Sequence, residues 1–174
     1  LTTSQILAIM PQTASCANEP YPGECRTAAQ AAPLFAQSFT KYKITDPHAQ
    51  AAILALVAYE SGQLKANIGH TPPVPGKGTR NMQSPTYNSQ YATALYGAAK
   101  VAAAGSPEAV LGLVTNDADS FASAAWFLTS QCPQLQAAFG TQPEQTWVQY
   151  LTQCIGTTDN AQRDAYWVSA KKAL

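Results

Sequence analysis

A chain of 174 residues suits one domain, 1–174, with a hydrophobic core of its own. The hydrophobic share is 46%, as in ordinary globular proteins, but charged residues reach only 11%, less than half of the usual share of about a quarter. Ten basic side chains balance ten acidic ones, which leaves no electrostatic footprint for a phosphate backbone or an anionic membrane, and the pair Lys41 and Lys43 is too small to change that. Neither nucleic acid nor a membrane is expected as a partner. The longest apolar run, Ala51 to Tyr59, falls far short of the roughly 20 residues that span a bilayer. With so few charges, the polar surface has to be Gln, Ser, Thr and Asn, a composition commoner outside cells.

The chain opens on Leu1-Thr2-Thr3-Ser4-Gln5, without a basic region or a long apolar run, so any leader peptide is expected to be gone. Cys16 and Cys25 then flank the turn-rich segment Asn18-Glu19-Pro20-Tyr21-Pro22-Gly23, and Cys132 and Cys154 flank a second local stretch. None of the four has the close spacing of a zinc site or a redox pair. Three pairings are possible; the local ones, Cys16–Cys25 and Cys132–Cys154, are favoured, each stabilising by roughly 2–4 kcal/mol. The alternative is four free buried thiols; paired cysteines fit an oxidising compartment, and the expected location is secreted and extracellular.

Helix signals dominate. A Ser, Thr or Asp cap followed by proline marks Asp46-Pro47 and Ser106-Pro107, with a weaker version at Thr141-Gln142-Pro143. Helices are expected over 3–10, 25–42, 47–61, 87–104, 107–115, 120–130, 132–139, 143–154 and 159–172. Alternating β-branched runs are missing and alanine is abundant, so the expected fold class is all-α, a disulfide-stapled helical bundle. One long irregular loop, 62–86, interrupts it with Gly69, Pro72, Pro73, Pro75, Gly76, Gly78 and Pro85. Loops of that length in compact domains usually serve function; a small β-hairpin has room there, but no alternation announces one.

The acidic residues separate by position. Asp46, Asp119 and Asp159 fit helix caps, and Glu108 and Glu144 sit in first helical turns, where a negative charge offsets the helix dipole. Asp164 reads as a surface charge, and Asp117 lies in a turn beside Asp119. Glu60 has no such role. It ends Ala51-Ala52-Ile53-Leu54-Ala55-Leu56-Val57-Ala58-Tyr59, the most apolar stretch, at a helix C-terminus. Desolvation and the dipole both favour a protonated carboxyl there, as a general acid requires.

Glu60-Ser61-Gly62 at the end of a buried helix, followed by an irregular loop and then Gly78-Thr79-Arg80-Asn81-Met82-Gln83-Ser84-Pro85-Thr86, resembles the lysozyme superfamily. The likeness is nearest to goose-type lysozymes and bacterial lytic transglycosylases. The rest of the chain, with Trp126-Phe127-Leu128 before Cys132 and Arg163 to Trp167 near the end, resembles secreted fungal muramidases. The resemblance implies that Glu60 is the general acid, that Ser61 orients it, and that Met82 and Gln83 line the site of an N-acetylated sugar; Ser61, Asn81, Tyr87 and Tyr91 are also expected to touch the sugar. It implies a lysozyme-like bundle and hydrolysis of the β-1,4 linkage of bacterial peptidoglycan. Three departures stand out: Arg80-Asn81 replaces a Gly-Leu pair, the later Ala-Tyr-Asn-Ala-Gly motif of transglycosylases is absent with only Tyr87-Asn88 and Tyr91 as substitutes, and no acidic residue lies between Glu60 and Glu108 to position water. Glu19, Glu24, Asp117 and Asp119 are the remaining candidates for a second carboxylate.

Tyr59, Tyr87, Tyr91 and Trp126 are available as apolar faces for a pyranose. His48 and His70 are too few and isolated for a metal site, so neither metal nor cofactor is expected; for His70, in the long loop, contact with substrate is the alternative and exposure to solvent the expectation. The expected partner is the peptidoglycan polysaccharide, and the protein is expected to be a monomer. The rival readings are a non-catalytic wall- or chitin-binding module, a durable structural or effector protein, a lytic transglycosylase, and an enzyme acting on chitin or chitosan.

Overall fold

The computed structural model describes residues 1–174, 65% of them helical. In chain order the elements are α1 (Thr3–Ile9), α2 (Ala28–Lys41), α3 (Pro47–Glu60), β1 (Ile68–His70), β2 (Pro73–Gly78), α4 (Pro85–Tyr96), α5 (Ala98–Ala104), α6 (Pro107–Val114), α7 (Asp117–Gln131), α8 (Pro133–Ala138), α9 (Pro143–Gln149) and α10 (Ala161–Ala173). A short 3-10 turn, Pro11–Ala14, follows α1, and a π turn, Tyr150–Ile155, follows α9. The mostly α, disulfide-stapled architecture expected from the sequence is the one observed, with Cys16–Cys25 and Cys132–Cys154 as the two bridges. No helix is long and apolar enough to cross a membrane.

The core is built around α3. Its residues Ala51 to Ala58 are all fully buried, as a helix that is apolar on every side must be. Asp46 starts it, accepting from the N–H groups of His48 and Ala49 at 2.8 and 3.1 Å, with Pro47 at the first position. α10 packs along it, α1 bridges α10 and α2, and α2 lies on α7. A second layer, α4 against α6 with β2 alongside, closes the other end. α3 therefore has nowhere to send polar groups except at its ends. Its C-terminal end is where Glu60 emerges.

Local chemistry moved several boundaries. The segment expected as one helix over 87–104 is two, because Gly97 adopts φ 88° and turns the chain between α4 and α5. α7 is capped by Asn116, with Asp119 three residues inside it, and α10 by Asn160, not Asp159. Asp164 is no bare surface charge, since it accepts from the Trp147 indole N–H at 2.8 Å. Glu144 likewise accepts from the Trp167 indole at 2.8 Å and pairs with Lys171.

The long loop does hold a hairpin. β1 and β2 pair antiparallel, Ile68 opposite Gly78 and His70 opposite Pro73, with an irregularity between. The strand Pro73-Val74-Pro75-Gly76-Lys77-Gly78 carries none of the alternation that reveals strands. It is fixed by close packing instead: a Cβ on Gly76 would lie 2.7 Å from Pro107, and one on Gly78 2.8 Å from the Asn67 carbonyl. Only glycine lets the hairpin lie this close to α6.

Candidate functional site

Where α3 ends, an open cleft of about 310 Å³ lies between Glu60-Ser61-Gly62, the Cys16–Cys25 loop and the hairpin. That volume lies at the lower end of the range of small-molecule sites. Glu60, Ser61 and Met82 line it; so do Glu19, Tyr21, Lys65, His70 and Lys77.

Ser61 turns the chain. Its buried hydroxyl donates to the Val57 carbonyl at 2.6 Å and accepts from the Leu64 N–H at 2.8 Å, which occupies it in the helix end. Gly62, Gln63 and Leu64 then all take positive φ, at 59°, 58° and 67°. Successive left-handed residues with side chains are costly and persist only where surroundings hold them. Here the Gln63 amide oxygen accepts from the Gln12 N–H at 3.0 Å, and its NH2 donates to the Tyr166 hydroxyl at 3.0 Å.

Orientation of Glu60 falls to Arg163 of α10. Its Nη2 donates to Glu60 Oε1 at 2.6 Å and to Thr157 Oγ1 at 3.3 Å, while its guanidinium lies 3.8 Å from the centre of the Tyr59 ring. Arg163 is 4% exposed. The carboxyl group expected to stand bare in apolar surroundings is thus half of an ion pair. Its Oε2 has no partner in the protein and is left for the cleft. Behind the pair, the Tyr150 hydroxyl is buried and unpartnered, and burial first, then the Glu60 charge, push that phenol above its ordinary value.

The opposite wall comes from the disulfide loop. Tyr21 stacks on His70 with ring centres 3.6 Å apart and planes 6° from parallel. The Nε2 edge of His70 lies 2.8 Å from Glu24 Oε1, and Glu24 Oε2 accepts from the N–H groups of Asn67 and Ile68 at 2.6 and 3.0 Å. His70, expected to face solvent, is therefore pinned on one edge and one face. Glu19 pairs with Lys65 at 3.1 Å.

Arg80 locks this wall to the rest. Fully buried, it donates to the carbonyls of Leu64 and Ala66 at 3.1 Å each and of Glu24 at 2.6 Å, and it lies over the Phe121 ring. Burial, and after it Arg26, lower the guanidinium to about 10. The Arg-Asn departure noted in the sequence is thus a clamp that joins the loop after Glu60 to the disulfide loop.

Four expected sugar contacts lie behind the wall. Asn81 accepts from Thr79 and Ser123 at 2.8 and 2.7 Å and donates to Gln83 Oε1 at 3.1 Å. Gln83 passes the chain to Asn88 at 2.8 Å, and Asn88 donates to the Gly76 carbonyl at 2.8 Å. This buried network holds the hairpin in place, which uses the polar groups a sugar would need. Tyr91 is fully buried, its hydroxyl on the Asp119 carbonyl at 2.8 Å and its ring against Trp126. Tyr87 is half-buried and packs edge-on against Phe127 with ring centres 4.7 Å apart. Tyr59, also considered for the cleft, does not line it and lies instead beneath the Arg163 guanidinium.

Sequence reasoning gave no role in the site to Arg163, Arg80 or Lys65 and missed the Tyr21–His70 stack. A tyrosine between two prolines inside a short cysteine loop, Pro20-Tyr21-Pro22, was the one visible sign. Arg163 had none, since it meets Glu60 across 103 residues of chain.

No protein-family model matches the chain, and no solved structure matches it. Over 169 residues it is 36% identical to the bifunctional dioxygenase (DOX)-epoxy alcohol synthase (EAS) of Fusarium oxysporum (strain Fo5176). The match takes in 91% of this chain and 13% of that protein, so the chain spans a small part of its length.

Proposed function

We propose that the protein is a glycoside hydrolase of the muramidase type, cutting the β-1,4 linkage of peptidoglycan with Glu60 as general acid. The observation that carries the reading is a carboxyl group at the end of a helix whose residues Ala51 to Ala58 are fully buried, one oxygen held by Arg163 and the other free in a cleft. Such fixation presents the free oxygen to the cleft in a defined direction, which proton transfer to a glycosidic oxygen requires. The stacked Tyr21 and His70 rings and Met82 add apolar surface to the same cleft. The choice of peptidoglycan rests on the resemblance of Glu60-Ser61-Gly62 and Met82-Gln83 to goose-type lysozymes.

One observation favours a second reading, a non-catalytic wall-binding module: Arg163 already occupies Glu60 Oε1, as a purely structural ion pair would. The test is reducing-sugar release from purified peptidoglycan by wild type and Glu60→Gln, with products identified by mass. Release that the variant loses by about 100-fold or more supports the muramidase reading. A product lighter by one water identifies a transglycosylase instead. Equal activity in both proteins removes Glu60 from the chemistry, and binding without release from either makes the protein a wall-binding module.

A further inference from the structure

Glycoside hydrolysis by inversion needs a second carboxylate across the cleft, and the usual stretch after Glu60 has none. Of the four other candidates, three lie outside the cleft. Asp117 Oδ2 accepts from Arg26 Nε at 2.8 Å. Asp119 Oδ2 is held by the Tyr96 hydroxyl and by Asn116 Nδ2. Glu24 spends one oxygen on His70 and the other on two backbone N–H groups. None of these three lines the cleft that holds Glu60; Glu19 does.

We propose that Glu19 is this second carboxylate, the group that orients and deprotonates the attacking water; the proposal rests on the reading of Glu60 as the acid. Its Oε1 lies 3.1 Å from Lys65 Nζ, and its Oε2 has no protein partner. Lys65 sits on the same turn that follows Glu60, so the ion pair ties the Glu19 loop to the segment that carries the acid. The loop is closed at its base by Cys16–Cys25 and anchored through the Glu24 carbonyl on Arg80. Glu19 is thus fixed from three directions although no regular element carries it. In the step proposed, a water bound to Glu19 gives its proton to the carboxylate while its oxygen bonds to the anomeric carbon. The glycosidic C–O bond breaks with its electron pair going to the leaving oxygen, which takes the proton of Glu60. Solvent then returns a proton from Glu19 to Glu60.

The experiment follows the anomeric configuration of the first product by NMR, using soluble β-1,4-linked oligosaccharides cut from peptidoglycan. Alongside it, kcat and KM are measured for wild type, Glu19→Gln, Glu19→Ala and Glu60→Gln. The expected result is an inverted α product, a kcat for Glu19→Gln lower by about 100-fold with KM little changed, and azide restoring turnover to Glu19→Ala. Azide rescue and the kcat-against-KM split separate chemistry from a merely structural ion pair. A retained anomer or an anhydro product overturns the proposal. So does a Glu19→Gln enzyme of near wild-type kcat beside an inactive Glu60→Gln, and that outcome leaves the Glu60 reading standing. If Glu60→Gln is itself fully active, the proposed function falls and this assignment with it.

Discussion

The two disulfides perform the same covalent task in opposite surroundings. Cys16 and Cys25 are 9 residues apart and Cys132 and Cys154 are 22 apart, so loop closure alone stabilises by about 3 kcal/mol in each case. Inside the first bridge the chain is exposed or half-buried, and Glu19 and Tyr21 line a cleft while Glu24 braces its wall through His70. Inside the second lie Leu135, Phe139, Trp147, Tyr150 and Leu151, all buried. There Trp147 stacks on Trp167 of α10 with ring centres 5.2 Å apart and planes 8° from parallel. One bridge stands in for a core that a polar loop lacks, and the other reinforces a core that already exists. Equal thermodynamic weight therefore need not mean equal functional weight.

The largest expected effect tests the aromatic side. Trp147→Ala should lower stability by about 4 kcal/mol, from the cavity and from leaving Asp164 without its indole partner, as read by urea unfolding. Turnover per folded molecule should stay near wild type; a large loss there would mean that the two regions are coupled. Arg163→Met should cost about 3 kcal/mol, because it leaves Glu60 unpaired at the end of a buried helix. It should also cut turnover, which distinguishes it from Trp147→Ala.

Removing each bridge in turn sharpens the comparison. Replacing both Cys16 and Cys25 by alanine, or both Cys132 and Cys154, should cost about 3 kcal/mol in either case. Only the first pair should also lower the proposed wall-degrading activity of the folded protein, by about 100-fold if Glu19 shifts by an ångström. If both pairs lower activity equally, the division between a functional and a structural bridge is wrong. The smallest effect is at the rim: Tyr21→Ala should change stability by about 0.5 kcal/mol, since the ring is exposed, while raising KM for polysaccharide.

Much of this architecture was legible residue by residue. Asp46-Pro47 and Ser106-Pro107 started helices where their caps said they would, because a cap acts within one turn. Local pairing of the cysteines followed from their spacing, and Glu60 drew notice because an acid ending an apolar run has no local excuse. The hairpin was not legible, since glycines packed on Pro107 and the Asn67 carbonyl fix it and no strand pattern does. Nor was the burial of Asn81, Gln83 and Tyr91, whose partners lie on α4 and α7 and in the hairpin.

By itself, then, the sequence determined the helices, their caps, the two staples and the place of one exceptional carboxyl group, because each depends on neighbours a few residues away. The tertiary structure alone decided what that carboxyl group meets. Arg163 reaches Glu60 only because α10 lies along α3, and the loop that brings Glu19 and Tyr21 to the same cleft is fastened by Arg80 through the Glu24 carbonyl. Those contacts join residues far apart in the chain, and no local pattern encodes them.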